Sequence, residues 1–292
     1  MERIGDRRVI WSKVKVFFEM IKFEHTVFAL PFAYLGMLLA RHTWPTPEKF
    51  MWITLAMVGA RTAGMTLNRI ADLKIDRQNP RTKNRAMVTG EFSVSSGWVV
   101  ATMSLVIFFI AARMLNPLCF QLSFVAIVLL CGYHYVKRFS FLCHFALGLV
   151  LASAPIGGWI AVTGVFSWIP VFLAMAVLFW VAGFDILYGL QDFEFDKTHG
   201  LHSVPVKFGQ TQALKISEYC HLTAIVFLIA FGVMAHLGVL YWAGAMIVAG
   251  LLKVEHYLVG DGNLSRINSA FFTINGWIGV LLLVFTFLEI FR

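Results

Sequence analysis

Long apolar runs alternate with short polar stretches from one end of the chain to the other. A helix needs about 20 mostly apolar residues to cross a bilayer, because lipid offers the backbone no hydrogen-bond partners. Nine runs approach that length: residues 17–40, 50–71, 94–115, 117–136, 141–164, 168–191, 218–237, 238–254 and 268–291. The pattern predicts an all-α, polytopic membrane protein, a single transmembrane domain over 1–292 built as a bundle of about nine helices. Only Gly238 and the run lengths separate the seventh run from the eighth.

Composition agrees with the pattern. Of the 292 residues 59% are hydrophobic and 14% charged, too little polar surface for a soluble domain of this size. If the N-terminus is cytoplasmic, eighteen of the 24 Lys and Arg residues fall on the cytoplasmic side. Four (Arg41, Lys49, Arg113, Arg292) fall opposite, and Arg61 and Arg69 lie inside the second run. That bias satisfies the positive-inside rule for an inner, plasma-membrane protein. The net charge of +8 therefore reads as topology and bilayer contact, and no nucleic acid is needed to explain it. The basic start, 1–22, shows no cleavable signal and is expected to lie along the cytoplasmic interface. Cys119, Cys131, Cys143 and Cys220 sit singly in apolar runs, as packing residues do.

Candidate chemistry enters at the ends of two runs. In "NRIADLKID", Asn68, Asp72 and Asp76 are spaced four apart, a stripe on one helix face. In "DILYGLQDFEFDKTHG", Asp192 and Asp196 repeat that step after Asp185 and Tyr188. Both stretches meet the same membrane face and lead into cytoplasmic cap loops, 77–93 and 197–216, that carry Pro80 and Pro205. A carboxylate at the bilayer centre costs about 2.5–3.5 kcal/mol, so these acids must face a wet or ion-filled cavity near the cytoplasmic end. Asp72, Asp76, Asp192 and Asp196, with Asn68, offer the hard oxygens that suit Mg²⁺ bridged to phosphate. Arg77, Arg81 and Arg85, with Lys83, follow closely and match the remaining charge of a diphosphate.

These residues carry a resemblance. The chain resembles the UbiA-type intramembrane prenyltransferases, whose first motif has the form N-D-x-x-D-x-x-x-D and whose second is D-x-x-D-x-x-x-D-like. The stretches "FEHTVFALPFAYLG" and "NPRTKNRAMVTGEFS" look like the bacterial 4-hydroxybenzoate polyprenyltransferase group that serves ubiquinone and menaquinone synthesis. One departure stands out: Arg69 occupies a position where the family has Asp. The resemblance implies nine transmembrane helices and a Mg²⁺-dependent transfer of a polyprenyl chain. The donor would be a polyprenyl diphosphate and the acceptor an aromatic carboxylic acid, 4-hydroxybenzoate or a dihydroxynaphthoate. Asn68, Asp72, Asp76, Asp192 and Asp196 would then hold metal. Asp185 would orient the phenol or take its proton, and Tyr188 would face the allylic cation. Arg61, two turns before Asn68, would meet the acceptor's carboxylate. Lys22, Lys137 and Arg138 are further substrate-binding candidates, though positive-inside anchoring explains them equally well.

Small residues in "APIGGW" permit either a lateral gap for the prenyl tail or close helix packing. Two alternatives remain: the same family with a haem or chlorophyllide acceptor, and a cation transporter. A transporter would need acids along the whole membrane path, and here they collect at one end.

Overall fold

The computed structural model describes residues 15–22, 26–259 and 273–292, so the basic stretch 1–14 and the start of the ninth run lie outside it. All regular structure among the described residues is helical. The long helices are α1 (Thr26–Leu39), α2 (Pro47–Ala71), α3 (Val94–Leu115), α4 (Pro117–Val136), α5 (Cys143–Thr163), α6 (Ile169–Gly189), α7 (Gln210–Met234), α8 (Val239–Val259) and α9 (Asn275–Ile290). Helices α2 to α8 are long and apolar enough to cross a membrane, whereas α1 and α9 span 14 and 16 residues.

Local chemistry sets the ends. Thr46 and Asn116 accept hydrogen bonds from the backbone N–H of Lys49 (3.4 Å) and Cys119 (2.9 Å), each just ahead of a proline at the first helical position. Ser93 caps α3 in the same way, and Gly164, at φ 72°, ends α5.

Three boundaries differ from the hydropathy reading. The first run is broken, because the chain turns at Ile21 and Lys22, with Lys22 at φ 49°. Met20 and Ile21 pack sideways with Met87, against Ile70 and Phe92. The seventh helix begins at Gln210 rather than 218 and the eighth continues to Val259, so polar helix ends project beyond the apolar windows. The division between them falls where Gly238 implied. A side chain there would meet the Glu289 carboxylate, which accepts from the Leu240 N–H at 2.8 Å.

Neighbours in sequence pack as neighbours in space from α2 round to α9, and α9 closes onto α1. Helix α1 also crosses α5 at close range. A Cβ on Gly36 would stand 2.0 Å from the Pro155 carbonyl oxygen, and one on Gly158 would stand 2.1 Å from that of Ala33. The two glycines of "APIGGW" therefore divide the alternatives between them. Gly158 is buried in the α1–α5 crossing, while a Cβ on Gly157 would meet open space in the wall of a cavity. That cavity, about 280 Å³, lies among α1 to α5 with a lining of mostly apolar side chains. It opens along the α4–α5 seam, where Leu122 and Val125 are exposed.

Candidate active site

Both acidic stretches adopt the same backbone device. Helix α2 stops at Ala71, Asp72 takes φ −93° and ψ 4°, and a six-residue helix, Leu73–Gln78, follows. Helix α6 gives way to a 3₁₀ turn, Leu190–Asp192, where Asp192 takes φ −98° and ψ 5° before the six-residue helix Phe193–Thr198. The expected straight stripe is thus broken at its central carboxylate, in the sparsely populated bridge region. Asn79, extended ahead of Pro80, then stops the first of the two short helices.

The two devices face each other. Asn79 Nδ2 donates to Asp192 Oδ1 at 3.0 Å, joining the loop after the first motif to the second motif. Arg81 grips the same carboxylate with two nitrogens, Nε to Oδ1 at 2.9 Å and Nη2 to Oδ2. Its third nitrogen donates to the Tyr188 hydroxyl at 2.9 Å, with the guanidinium 5.0 Å over that ring. Arg85 pairs with Asp76 at 2.6 Å, Lys137 with Asp196 at 2.8 Å and Arg138 with Asp72 at 3.5 Å. Asn68 donates to Asp72 at 3.1 Å and lies 3.2 Å from His134 Nδ1.

Each of the four predicted carboxylates thus has its own cation. Asp76, Asp192 and Asp196 are buried, while their partners keep about a quarter to a third of the side chain exposed. Burial, and next the Asp76 charge, raise the Asp72 carboxyl above its usual range, against the pull of Lys137 and Arg138. Burial works against the charges of Arg81 and Lys137, but Asp192 and Asp196 outweigh it and raise both.

The remaining predicted residues divide. Arg61 stands in the cavity wall with Tyr133, and its Nε is buried without a hydrogen-bond partner. Asp185 bonds to His144 at 2.7 Å. Arg77 is exposed and Lys22 half-buried at the turn, and neither forms an ion pair with the acids. Arg69, at the departing motif position, is buried and donates through Nε to the Met20 carbonyl at 3.3 Å, bracing the 15–22 segment.

Sequence reasoning missed Asn79, Tyr133, His134 and His144. Asn79 had a local signal, a polar residue before proline in a loop rich in cations. Tyr133, flanked electrostatically by Arg61, Arg69, Asp72 and Asp185, and the two histidines had none, since their partners lie on other helices. Among the described residues no three His, Cys, Asp or Glu side chains are arranged to hold an ion together, because the cations stand between the acids.

Known proteins match the chain along most of its length. The profile of the UbiA prenyltransferase family covers residues 29–277. A 4-hydroxybenzoate octaprenyltransferase of Nitrosospira multiformis is 29% identical over 84% of this chain and 83% of its own. The apo structure of a UbiA homolog from Aeropyrum pernix K1 superposes with a TM-score of 0.82 at 34% identity, covering 89% of this chain and 95% of that one. A UbiA homolog from Archaeoglobus fulgidus, bound to GPP and Mg²⁺, has the same fold, with a TM-score of 0.75 at 20% identity over 95% of this chain and 100% of its own. With these matches joined to the paired acidic motifs, the chain belongs to the UbiA prenyltransferase family and is a membrane enzyme that transfers a prenyl group.

Proposed function

We propose that the enzyme transfers a polyprenyl chain from its diphosphate to an aromatic carboxylic acid, 4-hydroxybenzoate or a dihydroxynaphthoate. The observation that carries this reading is the matched set of four carboxylates and four cations beside an apolar cavity whose wall holds Arg61.

The residues fit a divalent metal by their chemistry. Asp72, Asp76, Asp192 and Asp196 with Asn68 supply hard oxygen donors, the set that Mg²⁺ takes together with phosphate. Asp196 Oδ1 is buried and has no aligned hydrogen bond although Lys137 stands beside it, so an acceptor is left for a closer cation. Mg²⁺, when bound, neutralises charge on the leaving diphosphate. Arg81, Arg85, Lys137 and Arg138 are then released from the acids and close on the phosphate oxygens. Their partly exposed side chains allow that exchange without unfolding a helix.

The allylic C–O bond breaks, diphosphate departs, and an electron-rich ring carbon of the phenol forms the new C–C bond. Tyr133 and Tyr188 offer ring faces, each contributing about 2 kcal/mol to a desolvated cation. Arg61 orients the acceptor carboxylate. Asp185 receives the proton released on substitution. The apolar tail lies in the cavity and leaves through the α4–α5 seam into lipid, past Gly157. The Lys and Arg bias supports a reading in which this end of the bundle, with the cap loops 77–93 and 197–216, faces the cytoplasm.

The test is direct. Membranes expressing the protein are given Mg²⁺, a radiolabelled polyprenyl diphosphate and either 4-hydroxybenzoate or dihydroxynaphthoate. A lipid-soluble aromatic product that disappears on chelation is expected. Absence of product with both acceptors rejects the aromatic-acid assignment.

A further inference from the structure

His144 lies at the start of α5 and is 4% exposed. Both of its ring nitrogens are engaged. Nδ1 stands 2.7 Å from Asp185 Oδ2, and the backbone N–H of Val204 donates to Nε2 at 3.3 Å. A ring nitrogen that accepts from an N–H carries no proton, so the imidazole hydrogen is on Nδ1 and is directed at Asp185. The ring is enclosed as well as bonded: a Cβ on Gly189 would approach its Cε1 to 3.1 Å.

The partners of His144 belong to two functional parts of the molecule. Asp185 is on α6, two turns ahead of Asp192, and acts electrostatically on cavity-lining Tyr133. Val204 opens the short helix Val204–Phe208 that follows the second motif. The loop before it is stitched to the same region, since the His202 N–H donates to the Lys137 carbonyl at 2.7 Å. One imidazole therefore spans the gap between a carboxylate beside the cavity and the loop behind the Asp196 site.

We propose that His144 is a positioning residue for prenyl transfer. By fixing Oδ2 it holds the Asp185 side chain in one orientation, and Oδ1 is left to meet the acceptor's hydroxyl. By accepting from Val204 it ties that orientation to the docked state of the loop after the second motif. The inference rests on the reading of Asp185 as the group that faces the aromatic acceptor. A ligand-orienting partner of this kind is worth about 10–100-fold in activity.

The experiment compares His144→Gln, His144→Leu and Asp185→Asn in the full-length protein, using whichever of 4-hydroxybenzoate and dihydroxynaphthoate the wild type prenylates. Gln keeps an amide hydrogen for Asp185 and a carbonyl for Val204 at a similar spacing; Leu keeps bulk alone. His144→Leu is expected to lower kcat by about 10–100-fold with the KM for polyprenyl diphosphate unchanged. His144→Gln should recover most of kcat. Should the Leu variant fail to insert, His144→Asn, too short to bridge both partners, takes its place. Equal kcat in the Leu (or Asn) and Gln variants overturns the proposal, whether both are slow or both normal. A wild-type His144→Leu beside an inactive Asp185→Asn overturns it while leaving the role of Asp185 standing. An active Asp185→Asn overturns both.

Discussion

Among the described residues, the charged end and the α6–α9 interior each hold a buried polar cluster, and the two are built on opposite plans. At the charged end, buried carboxylates meet long, partly exposed side chains from loops and helix ends: Arg81, Arg85, Lys137 and Arg138. Between α6, α7, α8 and α9, the partners are short and enclosed. There Trp180 Nε1 donates to Asn275 Oδ1 at 2.7 Å, and Asn275 Nδ2 donates to Glu255 Oε1 at 2.6 Å. His221 lies 3.8 Å from Glu255 Oε2 and 2.9 Å from His256 Nε2. Asn275, Glu255 and His221 are each at most 2% exposed. The first cluster can change partners, because a guanidinium on a flexible stem swings to a phosphate without moving backbone. The second has nowhere to turn. Trp180, Asn275, Glu255, His221 and His256 are joined by hydrogen bonds between rigid neighbours on four helices, with Glu255 Oε2 left unbonded, which makes the cluster a brace. Partner length and exposure, rather than the burial of the acids, separate a working site from a structural one.

The largest effect that sharpens this comparison is on turnover. Asp72→Ala should cut product formation by about 10²–10³-fold or more while leaving insertion and thermal stability intact, since the orphaned Arg138 is exposed enough to be hydrated; Asp192→Ala should do the same to turnover while also leaving the buried Asn79 amide unbonded. Glu255→Leu or Asn275→Leu should do the reverse. Loss of about 1–3 kcal/mol of stability is expected from the partner left unsatisfied, with near-normal turnover per folded molecule, read by thermal unfolding in detergent beside the same assay. Loss of activity without loss of stability in Asn275→Leu would break the distinction.

Smaller effects test which cation meets which substrate. Lys137→Met removes a charge-assisted contact worth about 1.5–3 kcal/mol, so the KM for polyprenyl diphosphate should rise about ten- to a hundredfold. Arg61→Leu should raise the KM for the aromatic acid about tenfold and leave that for the diphosphate unchanged. A rise in both constants would place Arg61 with the diphosphate instead. Arg69→Ala should have the least effect on turnover, because its hydrogen bond serves the Met20 carbonyl; loosening of the 15–22 segment, seen by limited proteolysis, is the expected result.

Much of this was legible from residue order. Apolar runs and their punctuation by Pro, Gly, Ser and Asn anticipated the helices to within a few residues, except where the first run turned at Ile21 and Lys22 and where polar helix ends extended α7 and α8. The four-residue repeats picked out the acids, and the arginines after Asn79 picked out two of their partners. Lys137 and Arg138 looked as much like topological anchors as ligands, for nothing near them in sequence names Asp196 or Asp72. His144 and Glu255 gave no sign at all.

What the sequence determined by itself is the membrane bundle and the two acid motifs at one end of it. Those follow from hydropathy and from the 3.6-residue period of a helix, which act within one segment. Tertiary structure decided the breaks at Asp72 and Asp192, the pairing of Asp72, Asp192 and Asp196 with cations far along the chain, and the bridge from His144 to Asp185. Those depend on how α2, α4, α5 and α6 close against one another. Partners more than 40 residues apart meet only after packing has fixed the distance between helices, and local periodicity carries no record of that distance.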